Sequence, residues 1–514
     1  MTDLNTLRRN LLKGGTAAVA VAFGGPLTAM AKRPEYRGDC SAAEASPMVD
    51  SPYGPTAPVN DRSTGLPLIE LPAGFHYTSH GWTGDLMSDG LPTPAAHDGM
   101  GVVRQRRIGV GNEIVLVRNH ELSTSTNASR VIGSSRTDVA IYDTGTTGAN
   151  YQIGGTTNLV WRNGQFVDSY ASLGGIYRPC AGGSSTWGSW LANEELRSNS
   201  VSSTGRKHGY VFEVPADTSV NRTNPEPIVD MGRFAHEASA IDPDTGYWYL
   251  TEDQGDANTL YRFLPNDLGG RLGSLHAGGK LQGLKVKGVM NADLRFPTLC
   301  QQFSCEWVDI ENPDLDGATI SSKVGNVSAS GPYRQAYAKG AAIFGANEGC
   351  WVADGIVYFS DKRVQLATAT SPARAGRVFA LDLATGTLEA IFVSNDILIG
   401  NSPDNICVSP RGGLLFCEDG GNSGPKGDPA VQVEQMRLIG VTPAGAGYVF
   451  AKHNFNFTAA QMAAAGKSTS LAGDHRGTEW AGSVFSPEGH TLFANLYTPG
   501  ITLAITGPWA RGTL

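Results

Sequence analysis

The strongest constraint on the fold is repetitive. Short β-type runs alternate with Gly, Asn and Asp turns along almost the whole chain, and no Pro/Ser-rich linker divides it. Such runs occupy residues 113–118, 157–161, 209–214, 247–251, 355–359, 376–381, 413–416 and 490–495. A strand–turn–strand phrase recurs at residues 240–249, 407–415 and 485–492. A strand closed by the turn Asp382-x-x-Thr385-Gly386 adds the Asp and Gly conformations that a hairpin needs. The chain is therefore expected to be all-β, a single β-propeller of roughly six blades, with long loop insertions to account for the irregular spacing. The one clear helical pattern, at residues 458–465, lies in an insertion.

The first thirty-one residues stand apart from this pattern. Arg8-Arg9-Asn10-Leu11-Leu12-Lys13 is a twin-arginine pattern, followed by a weakly apolar stretch and an Ala29-Met30-Ala31 cleavage site. The stretch is too short and too rich in Gly and Ala for a transmembrane helix, which needs about 20 strongly apolar residues, so no stable membrane insertion is expected. Residues 1–31 are expected to be a removed signal peptide and residues 32–514 the propeller. The twin-arginine export machinery would then be a partner, and residence would be periplasmic or secreted. Cleavage takes away Asp3 and three basic residues, moving the formal charge from −8 to −10, and leaves no basic cluster for nucleic acid. Seven Cys in an exported chain leave at least one unpaired; Cys180 is the functional candidate, and ordinary burial or one or two disulfides suit the others.

Acidic residues recur at what read as strand ends: Asn119-His120-Glu121, Asn193-Glu194-Glu195, His236-Glu237, Glu252-Asp253, Asn347-Glu348 and Cys417-Glu418-Asp419. Carboxylates alike in setting but scattered in sequence point to oxygen ligands converging on hard cations, because like charges brought together need a metal to hold them. In the segment 178–195, Cys180 lies in a Gly-rich loop and Glu194 and Glu195 close the next strand. A thiolate with carboxylates suits iron better than calcium, although a buried structural Cys beside a surface Glu pair reads from the same residues. Glu252-Asp253-Gln254-Gly255-Asp256 fits a calcium loop or a blade turn equally well, and 309–317 reads as a solvated loop. There is no Gly-x-Ser-x-Gly elbow, Walker loop, His-Glu-x-x-His pair or Cys-x-x-Cys motif.

Segment 178–195 resembles that of the PhoX-type alkaline phosphatases, exported propeller enzymes holding iron and calcium at one end of the channel. The likeness continues through 118–121, 232–237, 348–349, 402–410, 417–420 and 479–489. The resemblance implies that Cys180, Glu195, Glu237 and Asp419 are iron ligands and that Glu348 bridges toward calcium, with Glu121 and Glu194 as further candidates. Asp98 stands where the family has an acidic or amide residue, though turn capping explains it almost as well. For His236, a metal ligand, a donor to a ligand and a structural hydrogen bond all remain open.

The implied activity is hydrolysis of phosphate monoesters, and of diesters as a further substrate class, on a small phosphorylated substrate. No side-chain nucleophile is implied; the attacking oxygen is expected on a metal. Phosphatases of this family usually carry an Arg two residues before the Glu of the Glu-Gly motif, where this chain has Ala346. A guanidinium is a two-pronged phosphate donor, and losing it costs about 2–4 kcal/mol in the transition state unless another group replaces it. Lys362, Arg363 and Arg476 are the candidates. Two alternatives keep the fold: a calcium-dependent esterase or lactonase, which would have no use for Cys180, and a non-catalytic metal-stabilised propeller.

Overall fold

The structure is a computed structural model describing residues 44–109, 111–123, 139–143, 154–196, 205–217, 224–363, 375–420 and 435–514. The expected signal peptide and Cys40 lie outside the described residues. Antiparallel strands dominate, as the β-branched and aromatic runs between turn residues require.

Among the described residues, six innermost strands form a closed ring. In chain order they are His97–Ile108, Pro179–Ser184, His236–Ile241, Asn347–Ala353, Pro403–Val408 and Trp480–Phe485. Each packs beside the next, and the last returns to the first. From each, antiparallel strands step outward by short turns. The first sector continues with Gly111–His120, Gly154–Arg162 and Gln165–Ile176, and the fourth with Ile356–Asp361, Gly376–Asp382 and Thr387–Ser394. The strand Gln302–Ile310 joins the outer edges of the third and fourth sectors into one nine-stranded sheet. This is a β-propeller, in which radial repetition leaves only short edges.

Aromatic side chains fill the wedges between sectors. Trp161 and Phe166 meet Phe493, Trp187 meets Trp248, and Phe392 meets Phe416. The inner strands approach too closely for side chains at some positions: a Cβ at Gly99 would lie 2.4 Å from the Ala181 Cα. The helical pattern at 458–465 forms the helix Ala459–Ala464, whose Thr458 and Gln461 make a reciprocal capping box. A second helix, Gly331–Ala338, has little helical pattern in its sequence; it starts from Ser330, whose hydroxyl accepts from the Tyr333 N–H. Cys300 is disulfide-bonded, and Cys180, Cys305, Cys350, Cys407 and Cys417 are buried free thiols.

The ring closes by joining the two ends of the propeller. The early strand His76–His80 pairs with Ile501–Thr506 and completes the sixth sector. Beneath this seam the Trp509 ring lies 4.7 Å from Phe75, 5.1 Å from Phe450 and 5.1 Å from Phe485, and its Nε1 donates to the His490 carbonyl at 3.0 Å. Tyr53 completes the cluster, its hydroxyl accepting from the Leu514 N–H at 2.8 Å. Trp509→Ala therefore removes the centre of the seam and is expected to lower stability by about 3–5 kcal/mol, read from equilibrium denaturation. An unchanged midpoint would contradict this role for the seam.

Candidate metal centre

All six inner strands carry a β-bulge at the same point. Opposite one residue of the second strand, the inner strand places two, at 98–99, 180–181, 237–238, 348–349, 404–405 and 482–483. A bulge turns a side chain out of the strand's ordinary alternation. The first bulge residues are Asp98, Cys180, Glu237, Glu348, Asp404 and Gly482. Five sectors thus deliver an acid or thiol into the channel. In the sixth there is no room for one: a Cβ at Gly482 would meet the Asp98 carbonyl at 2.5 Å.

These groups converge. Ligand atoms of Asp98, Glu121 and Cys180 lie within 4.8 Å of one another, as do those of Glu237, Glu348 and Asp404. The Cys180 Sγ is 3.3 Å from the Glu237 Oε1, linking the two groups. Asp98, Cys180, Glu237, Glu348 and Asp404 are all buried. Both carboxylate oxygens of Asp98, the Glu237 Oε2 and the Glu348 Oε2 lack any hydrogen-bond partner in the protein. The Glu348 Oε1 has an ion pair to the Lys362 Nζ at 2.8 Å, without the direction of a hydrogen bond. Buried carboxylate oxygens without donors are unfavourable unless a cation or proton meets them, so the donor set fits bound cations.

The second strand of each sector supplies two further positions. Its last residue opposes the residue before the bulge, giving His120, Glu194, Glu252, Asp361 and Glu418 in the first five sectors. Three of these acids anchor the loops, while Glu252 accepts from the Tyr261 hydroxyl. Glu194 accepts from the Tyr177, Gly209 and Tyr210 N–H groups at 2.7, 2.7 and 3.2 Å and pairs with the His208 Nδ1 at 2.6 Å. Asp361 accepts from the Gly345, Ala346 and Arg363 N–H groups. Glu418 takes the Asn401 N–H and the Arg437 guanidinium. Glu194, counted among possible ligands from the sequence, therefore holds backbone, because its lone pairs already face four donors.

The residue after each anchor stands half-buried at the channel mouth: Glu121, Glu195, Asp253, Lys362 and Asp419. Arg178 bridges two of them, its Nε 2.7 Å from the Glu121 Oε1 and its Nη2 2.7 Å from the Glu195 Oε2. Tyr497 donates to the other Glu121 oxygen at 2.6 Å. Glu479, just before the sixth inner strand, joins the same electrostatic cluster. The structure thus brings Asp98, Cys180, Glu237, Glu348, Glu121, Glu195 and Asp419 to one mouth together with Asp253, which the sequence offered as part of a calcium loop or a blade turn, and adds Asp404 and Glu479, absent from the candidate ligands. A cue for Asp404 was present, since Pro403-Asp404 repeats the placement of Pro179-Cys180. His236 is buried: its Nε2 bonds the Gly232 carbonyl at 2.9 Å, its ring stacks on Phe234, and its Nδ1 has no hydrogen-bond partner in the protein.

Burial is the largest cause of every shift in the ring. With neighbouring carboxylates it pushes Asp98, Glu237 and Glu348 well above the usual carboxylate range, and it raises the Cys180 thiol further. Burial likewise moves Asp404 up to about 7 and Glu195 up to about 8. Without cations these groups hold protons; cations offer the alternative neutralisation. Below the ring, the channel continues as a cavity of about 250 Å³ lined by small residues such as Gly99, Ala181, Ala238 and Gly349, with Trp190 and Trp351.

Fold and site together define a propeller whose channel mouth gathers buried acids and a thiol in an arrangement that could hold cations. The chain matches the family model for alkaline phosphatase PhoX over residues 51–168 and 164–500. It belongs to that family and is thereby a phosphoric ester hydrolase. Among solved structures it is similar to Pseudomonas fluorescens PhoX in complex with vanadate, a transition state analogue, at 16% identity over 92% of this chain and 99% of that chain, with a TM-score of 0.57. That likeness shows the fold. A gluconolactonase from Xanthomonas campestris aligns at 10% identity over 81% of this chain and 96% of its own, with a TM-score of 0.28, too low to carry an argument. A search of curated proteins gives no match.

Two predictions separate ligands from anchors. The raised carboxylates bind protons more tightly folded than unfolded, so their contribution is full below the ordinary values of 3.8 and 4.5 and is lost as pH rises toward about 8. Chelator-stripped protein should therefore lose thermal stability between about pH 4 and pH 8, and added cations should restore it; a flat profile without metal would refute the ring's electrostatics. In metal-free protein at a pH high enough to deprotonate the ring, Glu237→Gln should raise the melting temperature by removing one of the crowded buried carboxylates. Glu418→Gln, which breaks the pair with Arg437, should lower stability by about 3–5 kcal/mol. The same sign for both would contradict the distinction.

Proposed function

We propose that the protein is an exported, metal-dependent phosphatase that hydrolyses phosphate monoesters, with diesters as a second substrate class, at an iron and calcium cluster in the channel mouth. The observation that carries this reading is the ring of Asp98, Cys180, Glu237, Glu348 and Asp404, placed by equivalent bulges, with carboxylate oxygens that have no partner in the protein. Cys180, Glu195, Glu237 and Asp419 would hold iron, because a soft thiolate beside carboxylates favours it over calcium. Glu348, with Glu121, Asp98 and Asp404, would complete an oxygen-rich calcium side. Bound cations supply charge neutralisation of phosphoryl oxygens and activation of water.

The protein's own residues do the rest. The anchors Glu194, Asp361 and Glu418 fix the loops from which the ring projects, so the ligands are held before any substrate arrives. Arg178 and Tyr497 orient Glu121 and Glu195 at the rim. Export is supported by the Arg8-Arg9 pattern, and residence is then periplasmic or secreted. No helix among the described residues is long and apolar enough to cross a membrane.

The test is elemental analysis of protein purified after export, beside hydrolysis of p-nitrophenyl phosphate at alkaline pH with calcium. Iron and calcium are expected, with turnover reduced by about a hundredfold or more in Cys180→Ala together with loss of iron. Iron-free wild-type protein, or full turnover in Cys180→Ala, would overturn the reading.

A further inference from the structure

The equivalent sectors expose one break in the pattern. At the mouth position, four sectors place a carboxylate (Glu121, Glu195, Asp253 and Asp419), and the fourth places Lys362. Its ammonium lies 2.8 Å from Glu348, 3.2 Å from Asp253 and 3.9 Å from Asp419. It stands between the buried ring and solvent, its side chain 28% exposed against 0% for Glu348. Its backbone N–H donates to the Ala346 carbonyl at 3.0 Å, so the two residues are neighbours on paired backbone in the same sector.

Other cations around the mouth have directed partners of their own. Arg363 holds Asp256 at 2.9 Å, Arg476 holds Asp474 at 2.8 Å, Arg437 lies in the Glu418 anchor, and Arg178 grips Glu121 and Glu195 through its rigid fork. Lys362 instead faces carboxylates that the proposed cations would occupy. Cation binding to Glu348 and Asp419 would neutralise its partners and leave a fixed positive charge needing an anion.

We propose that Lys362 is the phosphate-anchoring residue of this enzyme, binding the phosphoryl oxygens of a monoester from the channel mouth in place of the guanidinium that Ala346 does not supply. The inference rests on the phosphatase reading above. A lysine offers a point charge without a two-pronged fork, so it holds the phosphoryl group with less angular demand than arginine would.

Inorganic phosphate is the probe, titrated calorimetrically into metal-loaded protein whose iron and calcium are measured in parallel. Wild-type protein should bind phosphate, and Lys362→Gln should bind it at least about tenfold more weakly with unchanged metal content, while Lys362→Arg recovers most of the affinity. In metal-free protein, where the ammonium serves as counter-ion to the ring, Lys362→Gln should also lower the melting temperature. Unchanged phosphate affinity in Lys362→Gln would overturn the proposal, as would loss of its metals, which would make the lysine a builder of the ring. Failure of wild-type, metal-loaded protein to bind or turn over any phosphate compound would instead remove the phosphatase reading itself.

Discussion

Repulsion among buried carboxylates is the constraint on which the rest of this molecule depends. Two like charges at the separations found in the ring repel by about 3–4 kcal/mol even at the effective dielectric of a protein surface. A folded domain has only about 5–15 kcal/mol of total stability, so a handful of such pairs would outweigh it. Protons or cations must therefore occupy the site. The raised proton affinities of Asp98, Glu237, Glu348 and Asp404 express the first option. The orphaned oxygens and the Cys180 thiol express the second.

The fold meets this constraint with one device repeated around a closed ring. An inner strand and its neighbour are locked in antiparallel register, a bulge adds one residue at the same height, and that residue's side chain turns into the channel. In three sectors the neighbouring strand ends in an acid that ties down nearby loop backbone and is followed by a residue at the mouth. Stability and function are thus separated by a single step in sequence: Glu194 beside Glu195, Asp361 beside Lys362, Glu418 beside Asp419. The aromatic seam around Trp509 keeps the ring closed, so that six separate segments retain a common height.

Much of this was legible in the sequence. Strand-and-turn punctuation gave the all-β propeller, and recurring acidic strand ends marked most of the residues that the structure gathers at the channel mouth. Adjacent acids were harder to divide, because Glu194 and Glu195 look alike until the backbone donors around Glu194 are seen. Asp404 was missed for a related reason: its strand carries only one acid, and the equivalence of Pro403-Asp404 to Pro179-Cys180 depends on bulges that no periodicity reveals. The helix Gly331–Ala338 escaped notice because glycine, proline and tyrosines give it little helical signature.

The most direct measurement is anomalous X-ray diffraction from crystals of the exported protein, collected on both sides of the iron absorption edge. The account predicts an iron peak at bonding distance from the Cys180 sulfur and the Glu237 carboxylate, with further cation density toward Glu348 and Asp404. A channel mouth holding only water, with Cys180 unligated, would contradict it.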